Sequence, residues 1–202
     1  MEKGEVLHFN GEDFLLVENQ IVEESKKKTV TILLNVFAII GIIPLFVLHF
    51  VLTVPNAISI EIVDLLYFLF VYLGFFVYIV IHELLHGAAF HFFGKVEKKD
   101  IKFGVVWKSA MAYCISTVPV SVKASRLSLM MPVYVVCIPM YIIGIVLNIQ
   151  VLCIGSILYL SGSVGDFYYM WKLRKAKKDQ YMMEIIPTKS GYEIGYLLME
   201  KK

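Results

Sequence analysis

Charge is scarce in this sequence and unevenly placed. Only 18% of the 202 residues are Asp, Glu, Lys or Arg, while 58% are hydrophobic and the mean hydropathy is +0.73. A soluble domain carries about 45–50% apolar residues, so the composition excludes an ordinary water-soluble globule. Cysteine is equally sparse. Cys114, Cys137 and Cys153 offer neither a CxxC pair nor an even disulfide framework. Cys137 and Cys153 fall in apolar runs and read as small buried hydrophobes. There is no internal repeat, no low-complexity tract and no cleavable signal-peptide pattern. The first 28 residues are polar and carry seven carboxylates, so the first apolar run is expected to direct insertion itself. The net charge of +2 says little as a total, and no nucleic-acid partner is expected.

Long apolar runs are what the chain does have, and runs of about 20 residues read as membrane spans. Four are expected, at 30–54, 60–93, 127–147 and 150–171. They form a membrane domain over 29–172, between a polar N-terminal segment (1–28) and a polar tail (173–202). The second run is long for one crossing. At 1.5 Å per residue it reaches about 51 Å against a hydrocarbon core of about 30 Å, so it either tilts and protrudes or breaks near Gly87.

Basic residues set the expected orientation. Lys26, Lys27 and Lys28 precede span one, and Lys95, Lys98, Lys99, Lys102, Lys108, Lys123 and Arg126 follow span two. Lys172, Arg174, Lys175, Lys177 and Lys178 follow span four. The connections Pro55 to Ser59 and around Asn148 carry none. Both termini and the middle loop are therefore expected in the cytoplasm, with the protein multi-pass in the plasma membrane. In the middle loop, Ile101, Phe103, Val105 and Trp107 alternate with more polar or smaller residues, the period of a strand. Val118 to Val122 is a candidate partner, with Pro119 confining it to an edge. The tail shows a turn signal at Ser190-Gly191 between short apolar stretches. The expected fold is an all-α polytopic membrane protein of about four transmembrane helices, with a small cytoplasmic-side β-hairpin between helices two and three.

Span two contains Ile81-His82-Glu83-Leu84-Leu85-His86-Gly87. This HExxH pattern puts two imidazoles one helical turn apart on one face, where both reach a single zinc ion. Glu83, about 100° around the helix, is placed to act on water as the catalytic base rather than to bind the metal. Ionisable groups in an apolar helix are costly, about 2.5–3.5 kcal/mol for a charge at the bilayer centre, and usually mark function. Zinc needs a third protein ligand. The zincin extension HExxHxxGxxH fails here, because position 92 is Phe92 and His91 comes one residue early; His91 reads as a packing or interfacial histidine. Asp166 is the best candidate, at similar depth to His86 counted from the basic residues that follow each span. Gly155, Tyr159, Gly162 and Asp166 form one helical stripe, and Gly162, Ser163 and Gly165 permit close packing.

Other polar groups compete less well. Glu61 and Asp64 sit at the far end of span two, His49 at the far end of span one, and Glu97 and Asp100 in a lysine-rich loop as solvated charge. Asn35 is at the right depth to donate a hydrogen bond near the site, with packing as its default role. The donor set predicts peptide hydrolysis by an activated water, Glu83 taking the proton and returning it to the leaving amine. The expected partners are a membrane-associated protein or peptide substrate and the lipid bilayer. Two other functions fit some of these residues: a zinc-binding protein without proteolysis, and an ion-transporter component using intramembrane His and Asp.

HELLHG, the strand-like stretch ending Ala112-Tyr113-Cys114, a Pro-containing third span from Pro132, and Gly165-Asp166 together resemble the bacterial membrane family described as putative zincin peptidases. The likeness covers about Leu73 to Tyr196. More remotely the chain is similar to site-2-type intramembrane metalloproteases, in which a later helix supplies an Asp to the HExxH metal on the cytoplasmic side. That resemblance implies His82, His86 and Asp166 as zinc ligands and Glu83 as base. The chain departs from it at Asp166, which follows Gly165 rather than preceding a glycine, and in lacking an Asn-Pro motif upstream.

Overall fold

The computed structural model describes residues 2–53, 62–107, 111–185 and 195–202. The Pro55–Ser59 connection, Glu61, the side chain of Asp64, Lys108 and the Ser190-Gly191 turn lie outside the described residues.

The chain is mostly helical but not all-α, because both polar ends fold into a sheet. Asn10 and Gly11 take positive φ (50° and 81°), the two-residue turn that matches strand twist. They join β1 (Val6–Phe9) to β2 (Glu12–Asn19), with Phe9 opposite Glu12. Five antiparallel strands follow the order β1-β2-β7-β6-β5, where β5 is Val120–Ser121, β6 Tyr181–Glu184 and β7 Tyr196–Lys201. Period-2 alternation splits β7 between two cores. Leu197 and Met199 pack with Phe14 and Leu16 on one face. Tyr196 and Leu198 pack with Met182, Val122, Leu129 and Leu173 on the other, against the helix ends.

A separate hairpin joins β3 (Ile101–Val106) to β4 (Met111–Ser116), with Phe103 opposite Cys114. The expected strand at Ile101 is present, but its partner is 111–116 rather than Val118 to Val122. The nearer segment pairs through a short connection, and Val120–Ser121 instead forms the edge strand of the larger sheet.

Three single helices are apolar and long enough to cross a membrane, and a bent pair makes a fourth crossing if it is one span. Helix α1 (Glu24–Thr53) and helix α2 (Ile62–Phe92) are each continuous, so α2 does not break at Gly87. Helix α3 (Val122–Pro132) passes through a π-turn segment, Val133–Cys137, into α4 (Ile138–Val146). Span four is not one helix. Helices α5 (Gln150–Ser161) and α6 (Val164–Leu173) meet at 52° around Gly162-Ser163, which interrupts the expected stripe and moves Asp166 to the first turn of a new helix. Large apolar side chains such as Phe37, Phe70 and Val80 stand exposed along the helices, a surface compatible with a lipid environment.

Helices α2 and α5 pack closely because of small residues. A Cβ on Gly74 would lie 2.7 Å from the Tyr159 hydroxyl, which donates to the Val71 carbonyl at 2.9 Å. Tyr159 also stacks on Tyr78, with ring centroids 4.5 Å apart. The sheet joins segments that precede α1, precede α3 and follow α6, and the end of α2 packs there through Phe90 and Val96. These four helix ends therefore lie together.

Candidate metal centre

One helical turn separates His82 from His86 on α2, and their ring centroids are 4.7 Å apart. Each ring is fixed through its Nδ1 atom. His86 Nδ1 donates to the Ser128 carbonyl on α3 at 2.9 Å, so the proton sits on Nδ1 and Nε2 carries a lone pair. His82 Nδ1 lies 3.0 Å from the Tyr78 hydroxyl, which sits 3.6 Å from Cys137 Sγ. With His82 donating to Tyr78 and Tyr78 donating to sulfur, His82 Nε2 is likewise free.

Asp166 faces both free nitrogens. Its Oδ2 is 3.2 Å from His82 Nε2 and its Oδ1 is 3.4 Å from His86 Nε2. Oδ2 is buried and has no hydrogen-bond partner among the described residues. Acceptors facing acceptors repel unless a cation lies between them. Zinc–ligand bonds of about 2.0–2.1 Å in a tetrahedron put neighbouring donors about 3.3 Å apart, which the two observed contacts match. The three donors lie within 4.8 Å of one another, so these residues fit a zinc ion.

A cavity of about 530 Å³ opens on this cluster. Glu83 lines it half-buried, with the β4 stretch Ala112 to Ile115 on one side and Thr31 and Asn35 of α1 on another. Glu184, at the end of β6, also lines it. Burial, together with the charges of Asp166 and Glu83, raises the Glu184 carboxyl to about 8. No lysine or arginine is among the described lining residues.

The remaining polar residues fall elsewhere. His91 Nδ1 donates to the Val96 carbonyl at 2.9 Å, a packing role. Buried His49 receives a hydrogen bond from Tyr141 and donates to Gln150, away from the cavity. Glu97 is exposed and paired with Lys99 at 2.7 Å. Asp100 corrects the expectation of simple solvation: it is half-buried, with Oδ2 shielded and lacking a hydrogen-bond partner. All three cysteines are buried and free.

Sequence reasoning missed Tyr78, Ser128 and Glu184. Tyr78 was findable, because it precedes His82 by one helical turn on the same face. Ser128 contributes its main chain, and Glu184 reaches the cavity only through sheet topology, so neither leaves a local signal.

A family model described as "Putative zincin peptidase" matches residues 75–181. No curated protein and no solved structure matches the chain.

Proposed function

The chain belongs to the family described as "Putative zincin peptidase", and from that premise we propose that it is a membrane-embedded zinc metallopeptidase cleaving membrane or membrane-proximal protein substrates. The observation that carries this reading is the pair of 3.2 and 3.4 Å contacts between Asp166 and the free Nε2 atoms of the HExxH histidines.

Each residue then has a task. His82, His86 and Asp166 hold the metal. Zinc, when bound, supplies a Lewis acid that acidifies water and polarises a carbonyl. Glu83, half-buried and without a hydrogen-bond partner among the described residues, accepts a proton from water and delivers it to the leaving amine. Tyr78 and the Ser128 carbonyl hold the imidazole tautomers that keep both Nε2 atoms available. Among the described residues strand β4 pairs with β3 alone, and its other edge is where we place an extended substrate segment, which cleavage of a helical substrate requires. The sheet end of the bundle, where the basic residues cluster, is read as cytoplasmic, with the chain multi-pass in the plasma membrane.

The test is zinc content of detergent-purified wild-type protein, together with cleavage of a proteome-derived peptide mixture read by mass spectrometry. The expected result is near one zinc per chain, cleavage by wild type, and loss of cleavage with retained zinc in Glu83→Gln. A metal-replete wild type without zinc, or turnover that persists in Glu83→Gln, overturns the reading. Zinc without any Glu83-dependent cleavage points instead to a metal-binding protein without proteolysis.

A further inference from the structure

Glu184 is a carboxylate in the cavity to which the proposed chemistry gives no role. It reaches the cavity because β5 pairs only with Tyr181 and Met182. The next residue of the edge strand, Pro119, has no N–H with which to continue the ladder. The outer edge of β6 at Met183-Glu184 is thus left without β5 as a partner, and Glu184 lines the same cavity as His82 and Glu83.

We propose that Glu184 is a specificity determinant that receives a cationic group of the substrate, either the α-ammonium of a peptide N-terminus or a lysine or arginine side chain, beside the scissile bond. This rests on the peptidase reading.

Three observations support it. The Glu184 side chain makes no hydrogen bond and no ion pair among the described residues, so its carboxyl oxygens are available. An ionised Glu184 has no cation facing it among the described lining residues. A divalent zinc offsets Asp166 and Glu83, both imidazoles are neutral, and no lysine or arginine is among the described lining residues. Burial and the neighbouring carboxylates favour the neutral form of Glu184, so a substrate cation arriving beside it supplies the counter-charge that the ionised form lacks among the described lining residues. Finally, the cavity is also lined by the aromatic residues Tyr113, Tyr168 and Tyr169. Aromatic faces attract ammonium and guanidinium groups and discriminate against anions.

The test uses full-length, zinc-loaded protein in detergent and four short alanine- and leucine-based peptides. One has a central arginine and a free amine, one has citrulline for arginine, and each has an N-acetylated counterpart. Binding is measured by calorimetry and cleavage by mass spectrometry, in wild type and in Glu184→Gln, with zinc content and size-exclusion profile confirming the fold of the variant. Wild type is expected to bind the peptide with arginine and a free amine at least tenfold tighter than the acetylated citrulline peptide, with the preference lost in Glu184→Gln and binding of the acetylated citrulline peptide within about twofold. Loss of the preference on acetylation identifies the α-ammonium; loss on citrulline substitution identifies the side chain. Equal or absent binding of all four peptides by wild type, or a cation preference that survives in Glu184→Gln, overturns the proposal. Cleavage without cation preference leaves the peptidase standing and removes this inference. Cation-selective, Glu184-dependent binding without cleavage keeps the recognition site and removes the peptidase.

Discussion

The hydroxyl of Tyr78 lies 3.0 Å from Nδ1 of His82, one turn earlier on the same helix. When Nδ1 donates to that hydroxyl, the contact holds the imidazole tautomer whose unprotonated Nε2 faces Asp166. Outer partners of metal-ligating histidines typically contribute about 10–100-fold in affinity or activity. Tyr78→Phe keeps the ring stacked on Tyr159 and removes only the hydroxyl. We predict zinc affinity lower by about 10–100-fold with an unchanged helical circular dichroism spectrum. Competition with a zinc chelator of known affinity measures it, and wild-type affinity in Tyr78→Phe would remove this hydroxyl from the site.

Asp166 supports a prediction with opposite signs in two conditions. Its Oδ2 is buried without a hydrogen-bond partner among the described residues, an arrangement that is unfavourable without a cation. Asp166→Asn therefore leaves metal-free protein equally or more stable to heat, while lowering zinc per chain and abolishing stabilisation by added zinc. Linkage gives the scale: saturation at 100 times Kd contributes about 2.7 kcal/mol. Thermal melts with zinc and with chelator separate the two effects. A variant still stabilised by zinc like wild type would move the third ligand elsewhere.

The clustering of His82, His86 and Asp166 at the candidate site was legible because its signals are local. Two histidines at i, i+4 share a helix face in any context, and an Asp late in an apolar run is costly enough to stand out. The kink that presents Asp166 was not legible as a break. Gly162 and Ser163 read equally well as small residues inside a continuous helix, and the 52° bend is a packing outcome. The β-structure divides the same way. Asn10-Gly11 was an available hairpin signal, overshadowed by the charged composition around it. The pairing of β2 with β7 joins the two ends of the chain, and no local pattern encodes so distant a partner.

Gly195 tests whether that sheet matters. Its φ is +148°, and a Cβ there would stand 2.4 Å from the Gln20 carbonyl oxygen, a main-chain atom that does not readily move. Its N–H donates to the Tyr169 hydroxyl at 3.0 Å, joining β7 to α6. Gly195→Ala is expected to cost about 1–3 kcal/mol and to loosen the terminal strands before the helices. Limited proteolysis should cut near the tail of the variant faster than in wild type. Equal cleavage rates would show that the backbone accommodates the methyl group there.

Arg126 extends the argument to a residue that does not touch the metal centre. Its guanidinium donates to the Leu173 carbonyl at 2.6 Å and the Ala176 carbonyl at 2.9 Å, capping the end of α6. Helix α6 presents Asp166 from its first turn. Arg126 lies on α3, two residues before Ser128, whose carbonyl fixes His86. One side chain thus joins the two helices that must agree for the three donors to meet. Arg126→Met keeps much of the stem's packing and removes both hydrogen bonds, each worth about 1.5–3 kcal/mol from a charged donor. The expected result is a lower melting temperature and faster zinc dissociation, with stoichiometry near one at saturating metal. Both hydrogen bonds leave one guanidinium nitrogen, so Arg126→Lys, whose ammonium also carries more than one N–H, should rescue part of the loss. Stopped-flow release of zinc to a chromogenic chelator reads the dissociation rate. Wild-type release from Arg126→Met, despite a lowered melting temperature, would confine this clamp to stability and separate it from the metal centre.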